Sequence, residues 1–180
     1  MIKKTRRTKQ MKLKATSTIN TLATCVSKEL ARPVLKNICI KGNEAMASNG
    51  YILARVEMKG GGSEQPLLYA PGNKLPAKVT TEITSSNDKI KFTSGNTISE
   101  SCIVNESYPN VDQIYPKDDP VLKIAFNAEY LRIISDLVKG SEDNRVELEF
   151  YGERSAMLFK GKSKYKENVS GLLMPLKRKE

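Results

Sequence analysis

The sequence predicts an α+β protein in which one βαβββ-like pattern occurs three times. Three observations predict it: β-rich runs are separated by Gly- and Asn-containing turns, two segments have helical periodicity, and breaks at residues 60–63 and 108–120 divide the chain. The resulting stretches, called repeats below, are each about 50–60 residues long, a period typical of stacked structural units. We expect sheets on one side and one amphipathic helix per repeat on the other.

The first repeat has the clearest order of elements. Residues 17–26 predict a helix, with Ile19, Leu22, Ala23 and Val26 on one face. Arg32-Pro33 ends it, because proline lacks the amide hydrogen that a helix interior needs. Strands separated by Gly and Asn turns are predicted over residues 11–15, 34–41, 45–48 and 51–58. The glycine-rich residues 60–63 form a flexible end to the repeat.

The second repeat is the least regular of the three. Pro71 and Pro76 shorten or displace the helix that should follow its first strand. Its strands are predicted over residues 66–70, 82–84, 89–93, 97–100 and 102–105.

The third repeat follows the proline-containing linker 108–120, in which each proline holds its predecessor in an extended conformation. A strand is predicted at 121–126, and Asn127 is expected to cap a helix over 127–138. The apolar side of that helix consists of Tyr130, Leu131, Ile134, Leu137 and Val138. The remaining strands are predicted over residues 145–151, 156–160 and 170–176.

These boundaries predict three parts of the chain. Residues 1–10 are a disordered basic tail, because they have no large apolar residue after Ile2. Residues 11–117 form a two-repeat domain. Residues 118–180 form a third repeat, a half domain that ends in a C-terminal strand.

The composition argues against catalysis. The chain has no histidine, which removes His-based acid–base catalysis, the common triads and most zinc sites. Asp118-Asp119 and Glu142-Asp143 could serve a two-metal nuclease, but they occupy turns, where solvated carboxylates are ordinary. We expect no enzyme activity, no metal and no cofactor. Cys25, Cys39 and Cys102 have no CxxC spacing and are expected to be reduced, buried thiols.

The net charge of +10 is concentrated at the two ends of the chain. Residues 1–14 and 160–180 each contain seven Lys or Arg, whereas the body between them is nearly neutral. This distribution favours a polyanionic partner, most often nucleic acid, although solvated basic tails without a partner are also common. No apolar run is long enough to span a bilayer and no signal peptide is evident, so a cytoplasmic location is expected.

Five stretches, in order, resemble motifs of the bacterial DNA polymerase III β sliding clamp family over roughly residues 11–177. They are similar to the family's RPxL, ATDGxRLA, FPDYxxVxP, FNxxYL and VMPMR segments. The matching stretches are Arg32-Pro33-Val34-Leu35 with Ile38-Cys39-Ile40, Met46-Ala47-Ser48-Asn49-Gly50-Tyr51-Ile52-Leu53-Ala54, Tyr108-Pro109-Asn110-Val111 with Ile114-Tyr115-Pro116, Phe126-Asn127-Ala128-Glu129-Tyr130-Leu131, and Leu172-Leu173-Met174-Pro175-Leu176-Lys177.

The chain also departs from the family pattern. Family chains contain six repeats and this chain has three, of which two resemble the middle domain and one resembles the last half of the final domain. Asn49-Gly50 replaces Asp-Gly, Ile52 replaces the arginine after that turn, and Tyr108-Pro109-Asn110 replaces FPD. The resemblance is therefore to a shortened form, as a phage or mobile element would encode.

The resemblance implies a processivity factor for a DNA polymerase. In such clamps the helices line a ring around duplex DNA and the sheets form its outer wall, so phosphates are contacted without base readout. The implied DNA-contact residues are Arg32 first, followed by Lys28, Lys36, Lys74, Lys78 and Arg132. The alternative for each is an ordinary solvated side chain.

The resemblance also implies a hydrophobic pocket for short peptides of polymerases and clamp loaders. Carried over residue by residue, the pocket consists of Leu35, Ser48, Gly50, Tyr51, Ile52, Leu53, Pro109, Gln113, Ile114, Leu172, Leu173, Met174, Pro175, Leu176 and Lys177. The alternative is that these residues belong to the core.

The resemblance finally implies assembly into a closed ring. Family rings contain twelve repeats, so three-repeat chains predict a homotetramer with head-to-tail contacts between an edge strand of the first repeat and one of the third. A dimer or trimer is the next alternative. Two rivals do not enclose DNA: a monomeric clamp mimic that binds a polymerase or loader, and an open basic DNA-binding module.

Overall fold

A computed structural model of the chain describes residues 11–72, 81–86 and 88–177. The chain divides into two compact parts, an N-terminal unit of Met1–Gln113 and a C-terminal unit of Ile114–Glu180. The predicted boundary lies after residue 117, a few residues beyond this division. The predicted tail at 1–10, Lys74, Lys78 and most of the segment expected to hold the second repeat's helix lie outside the described residues.

The N-terminal unit holds nine described strands in one antiparallel sheet of order β4-β3-β2-β6-β9-β8-β7-β1-β5. The strands are β1 (Lys12–Ala15), β2 (Ile38–Gly42), β3 (Glu44–Ser48), β4 (Leu53–Glu57), β5 (Lys59–Gly61), β6 (Ser63–Tyr69), β7 (Thr81–Ser86), β8 (Lys89–Ser94) and β9 (Thr97–Val104). Among the described residues, the unit contains the α-helix α1 (Thr18–Leu22) and a short 3-10 helix at Pro33–Lys36. A second 3-10 helix, Val111–Ile114, begins in this unit and ends one residue beyond it.

The first two repeats exchange their first strands. β1 of the first repeat pairs with β7, the second strand of the second repeat, with Leu13 opposite Ile83. In return, β6 of the second repeat pairs with β2, the second strand of the first repeat, with Ile38 opposite Tyr69. Each first strand also pairs with the end of its own repeat, β1 with β5 and β6 with β9. The two repeats therefore complete one another.

One apolar core lies on the helix side of this sheet. Ile19 and Leu22 of α1 are buried in it together with Leu13, Ile40 and Ile83. Alternate residues of each strand reach this side, so β-branched and leucine side chains from both repeats meet there. Burial of such side chains is the main stabilising contribution to the unit.

The C-terminal unit contains α2 (Ala128–Val138) and a sheet of order β10-β11-β12, formed by Val146–Glu149, Met157–Lys162 and Asn168–Leu173. The predicted cap is confirmed: Asn127 Oδ1 accepts a hydrogen bond from the Glu129 amide at 2.8 Å. Ile134 packs with Met157, Phe159 and Leu173 in a small core.

The predicted strand at 121–126 is wrong: these residues form no ladder within the described part of the chain. Alternation of apolar and polar residues indicates a strand but does not show whether a neighbouring strand is present. The Leu176 amide donates a backbone hydrogen bond to the Ala125 carbonyl at 2.8 Å. The predicted apolar side of α2 is only partly buried, because Tyr130, Leu131 and Leu137 are exposed.

Several predicted boundaries also change. The helix expected over 17–26 keeps α geometry only to Leu22, and i→i+3 bonds such as Cys25 N to Leu22 O at 2.9 Å continue it as turns. The strand expected from residue 34 starts as a 3-10 helix, since Pro33 favours a helical first turn. The two strands expected over 97–105 are the single strand β9, and the glycine-rich stretch at 60–63 supplies parts of β5 and β6.

Two of the three cysteine predictions hold. Cys25 and Cys39 are free and buried, whereas Cys102 is free but exposed. Cys102 lies in β9, where its side chain alternates away from the core.

Candidate functional site

The first part of the candidate site is the outer face of β2, β3 and β4, opposite the helix side of the sheet. Cys39, Met46 and Leu68 from neighbouring strands form a buried cluster there with Tyr108 and Val111. The predicted pocket residues Leu35 and Leu53 are half-buried and pack against the same cluster. The structure therefore brings these two together on one apolar floor.

The β3–β4 turn at this edge is held by the side chains of two adjacent residues. Asn49 Oδ1 accepts hydrogen bonds from the Tyr51 and Ile52 amides at 2.9 and 3.0 Å. The hydroxyl of the predicted pocket residue Ser48 accepts the Gly50 amide at 3.1 Å. Gly50 has φ +92°, a conformation that favours glycine over residues with a Cβ. The turn is thus fixed by the side chains of Ser48 and Asn49 and by the conformation of Gly50.

This fixed turn presents apolar side chains to solvent. Tyr51 is 86% exposed and Ile52 is 51% exposed, and the predicted residues Pro109 and Gln113 of the same unit are also exposed. Exposed aromatic and aliphatic side chains beside a packed apolar floor are typical of a surface that binds peptide side chains. Ile52 stands where the family pattern has an arginine, so this edge of the sheet is more apolar than that pattern predicts.

An ion-pair network fastens the segment that contains Tyr108 and Val111 to the sheet. The Arg55 guanidinium of β4 bonds to the Asp112 carboxylate and lies 3.6 Å from Glu44 Oε2. Lys41 of β2 adds a 3.6 Å contact to the other Asp112 oxygen. The bond from Arg55 is the largest cause that lowers the pKa of Asp112. The segment is therefore held to both β2 and β4.

Two ionisable groups in the floor are neutral at physiological pH. Burial raises the pKa of the Tyr108 phenol to about 12, with a further rise from nearby Cys39 and an opposing effect from the Ser48 backbone. Burial raises the pKa of the Cys39 thiol to about 11, partly offset by Lys41. The floor consequently behaves as an apolar surface rather than as a reactive one.

The second predicted set of pocket residues belongs to the C-terminal unit and is described within that unit. Leu172, Met174 and Leu176 are exposed, as are Ile114 and Lys177, and Pro175 is half-buried. Leu173 differs, because it is only 6% exposed and packs against Ile134 in the core. The Leu173 side chain therefore stabilises the core, whereas its neighbours Leu172 and Met174 are exposed and available for binding.

The predicted DNA-contact residues have different surroundings. Lys28 and Arg32 are exposed on the loop after α1, and Lys36 is half-buried in the 3-10 helix. Arg32 makes a 3.9 Å contact with Glu29, and a Cβ placed on Gly50 would overlap its guanidinium. Arg32 therefore lies beside the exposed turn.

Arg132 on α2 is already paired with two acids. Its guanidinium contacts Glu129 at 2.7 Å and Asp136 at 2.6 Å, at the i−3 and i+4 positions of the same helix. These bonds raise the pKa of Arg132 and neutralise its local charge. Its local group is net acidic, so it attracts phosphate less than an unpaired arginine would.

Within residues 11–72, 81–86 and 88–177, no group of His, Cys, Asp and Glu side chains could hold a metal ion. No described helix is long and apolar enough to cross a membrane.

Sequence reasoning missed the roles of four residues in this site. Tyr108 and Val111 were interpreted as linker, although two apolar residues three apart are a usable signal of a short buried turn. Arg55 and Asp112 lie 57 positions apart, and no local pattern predicts their pairing. The position of Arg55 between the apolar residues Ala54 and Val56 of β4 was the sign that this arginine needs an acidic partner.

Comparison with solved structures identifies the fold. The chain matches a Pseudomonas aeruginosa DNA polymerase III subunit beta with TM-score 0.68 and 11% identity, covering 97% of this chain and 53% of the other. A Bartonella birtlesii sliding clamp bound to griselimycin matches with TM-score 0.64 and 15% identity, over 94% and 52%. A Bacillus subtilis DNA polymerase sliding clamp matches with TM-score 0.62 and 13% identity, over 97% and 51%.

These matches confirm the predicted fold class: the chain has the fold of the bacterial DNA polymerase III β sliding clamps. It spans about half the length of the structures that it matches. No protein-family model matches the sequence, and no curated protein matches it at comparable significance.

Proposed function

We propose that this chain, with the fold of half a bacterial β sliding clamp, is a short clamp that encircles duplex DNA and tethers replication proteins. The observation that carries the proposal is the fold match over 97% of the chain, at TM-score 0.68, to a polymerase subunit. A fold alone does not fix a function, so the proposal also rests on the exposed apolar turn described above.

The proposed function needs no catalytic group. A closed ring holds DNA by topology, while basic side chains and water contact phosphates weakly enough to permit sliding. A chain without histidine suits this task. We propose Arg32, Lys28 and Lys36 as phosphate contacts, together with Lys74 and Lys78, and Arg132 as a weaker one because of its two acidic partners.

The tethering function uses the outer face of the N-terminal unit. Tyr51 and Ile52 would contact the apolar anchor of a peptide, with Leu35 and Leu53 beside it and Pro109 and Gln113 at the margin. Apolar surface accepts leucine or phenylalanine from more than one partner, as a clamp requires. Griselimycin is bound by the Bartonella clamp, which supports ligand binding as a property of this fold.

The exposed residues of the C-terminal unit form a second proposed set of peptide contacts. Leu172 is an exposed residue of β12, and Met174 and Leu176, which follow the end of that strand, are exposed as well. Ile114, Pro175 and Lys177 accompany them. Polymerases and clamp loaders, through short clamp-binding peptides, are the proposed partners.

We propose a closed homo-oligomeric ring, with four chains supplying twelve repeats. A clamp mimic, by contrast, would be monomeric and would bind a polymerase or loader without enclosing DNA. Native mass without DNA distinguishes the two, since only the clamp must self-associate.

Retention on DNA of different topology tests enclosure directly. After loading, the protein should remain on nicked circular DNA at a salt concentration that releases it from linear DNA, because salt weakens phosphate contacts without opening a ring. Linearising the loaded circle with a restriction enzyme should then release the protein. Equal loss from circle and linear DNA would reject the ring and favour the open DNA-binding module.

A further inference from the structure

The β10 strand of the C-terminal unit has an open edge. It pairs with β11 on one side, and no described strand pairs with it on the other. In both repeats of the N-terminal unit the corresponding second strand, β2 or β7, is covered on that side by the first strand of the other repeat. An open edge of this kind readily accepts another strand.

Side-chain burial shows that β10 lacks the same cover. Leu148 lies opposite Phe159 in the β10–β11 ladder, as Ile83 lies opposite Phe92 in the β7–β8 ladder. Ile83 is 0% exposed, whereas the corresponding Leu148 is 42% exposed. Val146 is 36% exposed, and its counterpart Thr81 is 0% exposed. Two core positions of the repeat are therefore open to solvent.

The segment 122–126 corresponds to β1. Asn127 accepts the Glu129 amide with its side chain and the Tyr130 amide with its carbonyl. Thr16 makes the same two contacts with Thr18 and Ile19. This correspondence places Ile124 where Leu13 lies and Phe126 where Ala15 lies.

The segment also has the edge partner that β1 has within its own repeat. Leu176 N donates to Ala125 O, as β5 pairs with β1 after the last strand of the first repeat. The opposite edge of β1 is occupied by β7, whereas no described strand occupies that edge of residues 122–126. One C-terminal unit thus has both a second strand with an uncovered edge and a first segment whose opposite edge has no partner among the described residues.

We propose that two copies of the C-terminal unit exchange these strands, so that residues 122–126 of each pair antiparallel with β10 of the other. The registers of the N-terminal unit predict Ile124 opposite Leu148 and Phe126 opposite Val146. The result is a twofold contact in which the third repeats of two chains complete one another, as the first two repeats do within one chain.

A second copy is the favoured occupant because it satisfies both edges of each unit at once. An unrelated strand bound to β10 would leave the open edge of residues 122–126 without a partner. Charge also fits: Lys12 Nζ lies 3.5 Å from Glu82 Oε1 across the β1–β7 pair, and the corresponding residues are Lys123 and Glu147. The exposed Leu131 and Leu137 of α2 offer further apolar surface near the incomplete core.

This strand exchange is one contact between chains of the oligomer described under the proposed function. It rests on the proposed function only in assuming that the chain self-associates. It replaces the head-to-tail contact between first and third repeats expected from sequence. The experiments below contain no DNA or peptide, so they can fail while the clamp proposal stands.

Disulfide trapping between two different chains tests the register. In a Cys102→Ser background, Ile124→Cys protein is mixed with Leu148→Cys protein and mildly oxidised. Cross-linked dimer should form in the mixture and not in either variant alone. Mixing Ile124→Cys with Glu147→Cys is the matched control, because the neighbouring side chain points to the other face of the strand. No cross-link in the first mixture, or equal cross-linking in the control, would overturn the proposal.

A charge on the open edge tests the contact without cross-linking. Leu148→Glu should weaken self-association at least about tenfold, measured by analytical ultracentrifugation. Tyr165→Glu places the same charge at an exposed residue away from that edge and should leave the association unchanged. Circular dichroism verifies that both variants fold. A folded Leu148→Glu variant with unchanged association would show that another surface joins the copies.

Discussion

The Arg55 guanidinium on β4 bonds to the Asp112 carboxylate, 57 residues later, and fixes the Tyr108–Val111 segment over the outer face of the sheet. The first prediction follows from this pair. Arg55 holds the folded-state pKa of Asp112 below its unfolded value. The pair therefore stabilises the fold fully above the unfolded pKa of about 4, and the contribution is lost as pH falls through the lower folded pKa.

Thermal melts from pH 7 to pH 2.5 should show a difference in melting temperature between wild type and Asp112→Asn that disappears at low pH. A constant difference would contradict this role.

The second prediction concerns the β3–β4 turn. Asn49→Ala removes the acceptor of two amide hydrogen bonds and should destabilise the chain by about 1 kcal/mol, measured by urea unfolding. Asn49→Asp keeps an acceptor oxygen at the same position and should be nearly neutral. Equal destabilisation by both substitutions would show that the amide nitrogen matters more than the acceptor.

The third prediction separates peptide binding from folding in the N-terminal unit. Tyr51→Ala and Ile52→Ala should each weaken binding of a polymerase-derived clamp-binding peptide by roughly 1–3 kcal/mol, because truncating an anchor contact removes buried apolar area. Their melting temperatures should hardly change, since both side chains are exposed. Leu30→Ala is the matched control, an equally exposed apolar residue outside the site. Isothermal titration calorimetry measures the affinities, and unchanged affinity in both variants would remove this turn from the peptide site.

The fourth prediction uses Leu173, the last residue of β12, and Met174, which follows it. Met174 is 65% exposed and Leu173 is 6% exposed, although the sequence suggested one role for both. Met174→Ala should weaken peptide binding without changing stability. Leu173→Ala should destabilise the fold by roughly 2–5 kcal/mol, because it leaves a cavity beside Phe159. Denaturant unfolding with peptide titration distinguishes the outcomes, and a stable Leu173→Ala variant would contradict its place in the core.

The fifth prediction concerns DNA. Arg32→Ala should lower the slope of log affinity against log salt by about 1, because one phosphate contact is lost. Arg132→Ala should change it less, since Glu129 and Asp136 already neutralise that arginine. Fluorescence anisotropy with a short duplex at several salt concentrations measures both slopes. A larger effect at Arg132 would reverse the proposed order of the two residues.

Local signals explain the elements that sequence alone predicted well. The helix start at Asn127 depends on one side chain and the residues just after it, so it could be read directly. The β3–β4 turn was likewise fixed by adjacent residues, Asn49 and Gly50. The resemblance to the sliding-clamp family came from several such local motifs in the right order rather than from any one of them.

Long-range features could not be predicted in the same way. Helical periodicity indicated that Leu131 and Leu137 face a core. It could not show whether enough strands are present to cover these two side chains, which are exposed. The alternation of apolar and polar residues at 121–126 indicated a strand, but it did not show which strand would pair with it. Leu173 and Met174 looked alike because no local pattern shows that the β12 ladder ends at Leu173, which pairs with Met157 and is buried, whereas Met174 follows it and is exposed.

The incomplete core of the third repeat links folding to gene dosage. The described residues of the C-terminal unit form a core of four buried side chains, Ile134, Met157, Phe159 and Leu173. If its completion requires a second copy, the free energy of folding includes a term that grows with protein concentration. A cell that makes little of the protein would then hold mostly chains with a loosened third repeat exposed to proteases. At low expression the number of complete molecules would rise as the square of the concentration of free chains, and so more steeply than expression itself.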